Sequence, residues 1–127
     1  MQDERRNYQR FKVKERAFAG FIRPDSDDIF QLGQIIDISK GGFCSHFIPT
    51  KKIDETVSHV SIFGQTNTFL KVEKIPCKII YDRKIPWSEL REIRCGIEFL
   101  IHSSNQESQI EEFIRAITIN LDTKSSR

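Results

Sequence analysis

Two short sets of side chains have the types and spacing to hold a nucleotide. The first is Arg5-Arg6-x-x-x-Arg10. A guanidinium is a flat fork that pairs bidentately with phosphate oxygens or with O6 and N7 of guanine, and its face stacks on a base. The second is Asp37-x-Ser39-x-Gly41-Gly42. A carboxylate accepts hydrogen bonds from the N1–H and N2–H₂ edge of guanine, which adenine does not present, and the serine hydroxyl beside it donates or accepts. Gly41 and Gly42 admit positive φ and a close approach of backbone to ligand. Each set alone has a plainer account. The arginines, partly offset by Asp3 and Glu4, read as a solvated charge cluster at a terminus. The second set reads as an Asx or Ser turn closing a hairpin.

The elements that must hold these residues follow from periodicity. Residues 1–9 are polar and carry no strand or helix period. Phe11, Val13, Ala17, Ala19 and Phe21 then recur at odd positions with Lys12, Lys14 and Arg16 between them, the alternation of a half-buried strand. The turn formers at residues 23–28 close it. Further strands are expected at residues 29–38, 43–47, 57–63, 69–81 and 93–102, with Pro76 marking a bulge or an edge. Six strands at short spacing predict a small antiparallel barrel or sandwich. From residue 103 the period changes. Ser104 stands three residues before Glu107 as in a capping box, and Ile110, Phe113, Ile114, Ile117 and Leu121 form one apolar helical stripe. Such a helix must pack across the barrel mouth or against a partner. The expected layout is an arm over 1–10, a barrel over 11–102, a helix over 103–121 and a tail over 122–127.

In this order and setting the two motifs resemble those of the PilZ family of cyclic di-GMP receptors. The resemblance extends to Phe43-Cys44-Ser45 after the glycines, to Gly96-Ile97-Glu98-Phe99 and to the closing amphipathic helix, and covers about residues 5 to 121. It implies a mainly β fold, a six-stranded antiparallel β-barrel with a C-terminal amphipathic α-helix, in agreement with the strand count above. It also implies roles. Arg6 and Arg10 would grip phosphate and guanine, Asp37 and Ser39 would read the guanine edge, and Gly42, with Gly41 beside it, would close the turn. An arginine at the position of Arg5 accompanies, in that family, a stacked and mutually intercalated pair of ligand molecules. Apart from the resemblance, Arg94 lies by Gly96 of the late strand, within reach of the ligand as a secondary contact. The arm, poor in apolar residues, is expected to be mobile until cyclic di-GMP bridges it to the turn, and the ordered complex would signal to a downstream protein. No cofactor is implied.

Composition narrows the alternatives. A net charge of +2 is too small for a general polyanion binder, which shows a strong basic excess on one face. The polar N-terminus and the lack of any apolar run near ~18 residues predict a cytoplasmic chain without membrane insertion. Cys44, Cys77 and Cys95, odd in number and without a C-x-x-C pair, are expected as small buried hydrophobes. His46, His59 and His102 lack metal-ligand spacing, and no nucleophile–base pair or phosphate loop is present, so no enzyme is expected. A single-stranded nucleic-acid barrel would use the ten Phe as stacking platforms, but most fall at core-facing positions. A nucleotide-independent adaptor of the same family would lack one or both motifs, and this chain has both. Trp87 is either a partner contact or a cover for the barrel.

Overall fold

The computed structural model describes residues 10–13, 16–49, 57–87, 89, 91–101 and 103–118. Arg5, Arg6, His102, Leu121 and the tail lie outside them, as does most of the expected arm. The alternating segments form β1 (Phe11–Lys12), β2 (Arg16–Ile22), β3 (Ile29–Ser39), β4 (Gly42–Phe47), β5 (His59–Gln65), β6 (Phe69–Lys84) and β7 (Ile93–Phe99), and one helix, α1 (Ser104–Ile117), follows. All the strand pairings are antiparallel. Strands β3, β2, β5, β6, β7 and β4 are neighbours in that order, and β4 returns to β3, which closes a six-stranded barrel.

The first expected strand is divided. Phe11 and Lys12 pair with Ile38 and Asp37, whereas Phe18 to Ile22 pair further along the same edge of β3 with Gln34 to Ile29. At the break, Val13 forms a bridge to Thr118 at the end of the helix. Strand β6 runs past the expected end at Tyr81 to Lys84, because Tyr81 to Lys84 pair with Gly96 to Ile93. It serves two neighbours in turn, β5 through Pro76 and β7 from Cys77. The bulge expected at Pro76 lies just before it, where Val60 and Ile62 face Ile75 and Val72. There Lys74 takes φ 52° and its N–H donates to the Ser61 hydroxyl at 3.0 Å.

The core lies inside the barrel and beneath the helix. Phe21, Ile35, Ile38, Val60, Ile62, Ile75 and Ile97 are buried there together with Ile110, Phe113, Ile114 and Ile117 of α1. Burying each such side chain stabilises the fold by ~1.5–3 kcal/mol. The helix therefore docks on the barrel of its own chain through the stripe expected from the sequence. Its N-cap, however, is Ser103, whose hydroxyl accepts from the Gln106 N–H at 3.2 Å, and not Ser104. The Gln106 amide does not complete a capping box. It donates instead to the Glu73 and Lys74 carbonyls at 3.1 and 3.4 Å, which fastens the helix to the β6 bulge.

Five of the phenylalanines, Phe21, Phe43, Phe47, Phe99 and Phe113, are buried, and Phe11 and Phe30 pack against the core. Phe18 and Phe69 are exposed; Phe18 pairs across the strands with Phe63, which stacks on Phe69 at 6.1 Å between centroids.

Candidate functional site

Two bulges decide which way the polar residues point. In β3, alternation puts Gln31, Gly33 and Ile35 inward, and strict continuation would bury Asp37. The register against β4 shifts between Ile35 and Asp37, so Ile36 is the extra residue, Ile38 becomes the core residue and Asp37 turns outward. In β6 the same happens. The register against β7 shifts between Ile79 and Tyr81, Ile80 is extra, and Tyr81 stands opposite Gly96 on the outside. Since β4 and β7 alternate without interruption, one row of directly paired residues crosses the outer face: Lys12, Asp37, Cys44, Gly96 and Tyr81, on β1, β3, β4, β7 and β6. A parallel row carries Gln34, His46, Arg94 and Arg83, and another carries Ser39, Gly42, Glu98 and Lys78.

Of the residues singled out in the sequence, Arg10, Asp37, Ser39, Gly41, Gly42, Arg94 and Gly96 come together on this face. The Arg10 Nη1 lies 3.2 Å from the Asp37 Oδ1, with the two side chains 48% and 18% exposed. At that exposure the pair contributes ~0–1 kcal/mol and is easily exchanged for another partner. Ser39 is buried and organises the turn. Its hydroxyl accepts from the Gly41 N–H at 3.1 Å and donates to the Gly42 carbonyl at 3.4 Å. Arg5 and Arg6 fall outside the described residues.

The expected reason for the glycines needs correction. Neither Gly41 nor Gly42 takes positive φ. Gly42 is required by close packing, since a Cβ there would overlap the Ile97 carbonyl oxygen of β7. Gly96 is likewise covered by the Tyr81 ring, which fills the space a side chain would take.

The sequence reading missed Cys44, Tyr81 and Arg83. Cys44 is buried yet lies outside the core cluster, on the outer face. Its sulfur accepts from the Arg94 Nε at 3.0 Å and lies 3.9 Å from the Tyr81 hydroxyl. The Arg83 guanidinium sits 4.9 Å from the centre of the Tyr81 ring. The Tyr81 hydroxyl titrates above its ordinary value, first because it is partly buried and then because of Cys44. Arg94 is held protonated more firmly than usual, first by its bond to Cys44. Around the turn the face therefore offers the Arg10, Arg83 and Arg94 guanidinium groups, the Asp37 carboxylate, the hydroxyl-organised backbone and the Tyr81 ring. That set suits a planar, hydrogen-bonding, multiply anionic ligand. A signal for Tyr81 does exist: each bulge coincides with a doubled isoleucine, Ile35-Ile36 and Ile79-Ile80, directly before the residue that turns outward, Asp37 in one case and Tyr81 in the other.

A small closed barrel with this turn and a helix docked by its apolar stripe defines a recognisable class of domain. The PilZ domain profile matches residues 4–116, and the chain belongs to the PilZ domain family. Among solved structures it is similar to the PilZ domain of YcgR from Escherichia coli with c-di-GMP, at 17% identity and TM-score 0.61, covering 89% of this chain and 91% of that one. It is similar to the MrkH–c-di-GMP complex of K. pneumonia, at 14% identity and TM-score 0.70, covering 100% of this chain and 57% of that one. It also resembles the Bacillus subtilis inhibitor of motility MotI/DgrA, at 14% identity and TM-score 0.57, covering 91% and 51%. The chain thus spans about half the length of MrkH and MotI/DgrA. No curated protein matches it. Among the described residues, no helix is long and apolar enough to cross a membrane.

Proposed function

We propose that this protein is a receptor for cyclic di-GMP, bound on the outer face between the N-terminal arm and the Asp37–Gly42 turn. The observation that carries the reading is the contact of Arg10 with Asp37 at 3.2 Å, which brings the two motifs together beside the turn that Ser39 organises. Membership of the PilZ family, and similarity to structures solved with c-di-GMP, support it. In this reading Asp37 exchanges Arg10 for the N1–H and N2–H₂ edge of guanine, and Arg10 turns to phosphate or to the guanine O6 and N7. Arg5 and Arg6 close over the ligand from the arm. Ordering a few arm residues opposes binding by ~1–2 kcal/mol each, and charge-assisted bonds and stacking must exceed that. A micromolar Kd corresponds to about 8 kcal/mol net, to which bidentate contacts at ~1–3 kcal/mol each and base stacking at ~1–3 kcal/mol per base both contribute. The ordered arm and ligand then present a new cytoplasmic surface to a partner protein.

Calorimetric titration with cyclic di-GMP, cyclic di-AMP and GTP tests the reading. Saturable binding of cyclic di-GMP in preference to the other two is expected; no binding to the intact chain rejects it. A stoichiometry of two ligands per chain is expected from Arg5, and saturation at one removes the intercalated pair while leaving the receptor.

A further inference from the structure

Strands β2 and β5 supply none of the residues around Arg10 and Asp37, yet their outer surface is not an ordinary solvated one. Alternation along β2 turns Ala17, Ala19 and Phe21 into the core and Arg16, Phe18 and Gly20 outward. Phe18 stands opposite Phe63 of β5, whose ring stacks on Phe69 of β6 at 6.1 Å between centroids. Gly20 stands opposite Leu32 of β3, and the Ile29 side chain lies over it in the space a Cβ would take. The Gln31 amide donates to the Leu32 and Ile48 carbonyls at 2.8 and 3.3 Å, which sets Ile48 beside Leu32. One apolar stripe therefore crosses the outside of the barrel from Phe69 through Phe63, Phe18, Ile29 and Leu32 to Ile48. All of these except the half-buried Phe63 are between 40% and 60% exposed. That is an apolar area on the order of 400 Å², the size at which a patch on a single chain often has a function. The ends of the stripe carry opposite charge. At one end Arg16 projects on the same face of β2 as Phe18. At the other, the turn between Ile22 and Ile29 carries Asp25, Asp27 and Asp28. Lys74 takes Asp27 at 2.7 Å, but among the described residues Arg16, Asp25 and Asp28 enter no ion pair. A surface with an apolar middle, a cationic end and an anionic end is complementary to itself after half a rotation.

We propose that two copies of this chain associate face to face through the stripe, about a two-fold axis near Gly20, with Arg16 of each copy over Asp25 and Asp28 of the other. Pairing hides both stripes, on the order of 800 Å² of apolar area, and with apolar atoms supplying about 57% of an interface the whole comes to about 1,400 Å². That lies within the ~1,200–2,000 Å² of specific, stable interfaces. A closed two-fold pair covers the stripe on both copies, whereas a head-to-tail contact would leave an open surface at each end and grow. The charged ends set the orientation and the partner, since any other rotation brings like charges together or leaves them unpaired. The stripe shares no residue with the Arg10–Asp37 face, so the pair forms without ligand.

The test is sedimentation velocity and light scattering of the full chain without ligand, from micromolar to near-millimolar concentration, with circular dichroism to establish that each variant is folded. The wild-type chain should pass from monomer to dimer and stop there. Phe18→Glu and Leu32→Glu, both at exposed positions, should each weaken the dimer at least about tenfold. Either one decides the matter should the other fail to fold. Arg16→Glu should weaken the dimer roughly three- to tenfold, and so should Asp25→Arg with Asp28→Arg. Combining the three reversals restores opposite charges across the axis and should recover most of the lost affinity. A wild-type chain that stays monomeric throughout, as it would with residues 119–127 or a different protein over the stripe, overturns the proposal. So does growth beyond a dimer, a dimer that both glutamate variants leave intact, or a triple reversal that recovers nothing.

Discussion

Arg10 and Asp37 hold each other on the surface before any ligand is present, so each has two partners to choose between. Replacing Arg10 by Ala should weaken cyclic di-GMP binding at least about tenfold, measured by calorimetry, and leave the thermal midpoint nearly unchanged because the ion pair is half solvated. Asp37→Ala should act on selectivity. Its affinity for cyclic di-GMP should fall toward that for cyclic di-AMP, since the carboxylate is the acceptor that only guanine satisfies. Gly42→Ala belongs to a different kind. Its methyl group meets the Ile97 carbonyl of the neighbouring strand, so it should lower the denaturation midpoint of the free chain. The motif residues were legible in the sequence only as a pair, since each set alone reads as a charge cluster or an ordinary turn. The reason for Gly42 was not, because closeness of a strand thirty residues or more away leaves no local trace.

At the scale of elements, the helix shows both what periodicity reveals and where it stops. The spacing of Ile110, Phe113, Ile114 and Ile117 identified the face that is buried. The cap was misplaced by one residue because Ser103 and Ser104 are adjacent, and each stands three residues before a Gln or Glu. Ser103→Ala should destabilise the fold by about 1 kcal/mol, whereas Ser104→Ala should have little effect. Phe113→Ala should cost about 3–5 kcal/mol, because the residue is 2% exposed in the core between α1 and the barrel. Denaturant titration of the three variants separates these outcomes. The bulges were only partly legible: a doubled isoleucine marks the place of each but not how it is resolved. Ile36 and Ile80 are the same residue type as their core neighbours Ile35 and Ile79, so alternation alone cannot tell which of each pair is the extra one.

For the molecule as a whole, the barrel and helix form one cooperative body tied at several separate points. Lys40 of the turn between β3 and β4 meets Glu111 of α1 at 3.0 Å, Val13 bridges Thr118, and Gln106 grips the β6 bulge. Two buried thiols contribute to its response to alkali. Burial pushes Cys77 and Cys95 up to about 12 from an ordinary value of 9.0. The unfolded chain therefore loses these protons first. Their contribution to stability is complete below about 9 and is lost as pH rises toward 12. The thermal midpoint should fall across that window, and a Cys77→Ala, Cys95→Ala chain, though less stable at neutral pH, should fall less steeply. Class was legible at this scale, since the strand count and the closing helix follow from period and turn residues, and so was the local hairpin of β3 and β4 at the Asp37–Gly42 turn. The closure, β7 returning to β4, is a long-range pairing that only the folded chain displays.

The paired bulges make the location of the polar outer face a matter of parity. Each strand carries one residue more than alternation allows, and the bulge absorbs it. Were Ile36 paired flat against β4, everything after it would change sides and the Asp37 carboxylate would enter the barrel interior; Ile80 stands in the same relation to Tyr81. Removing either isoleucine together with its bulge would leave the face as it is. A single-codon insertion that no second bulge absorbs would lose the face while keeping every motif residue intact.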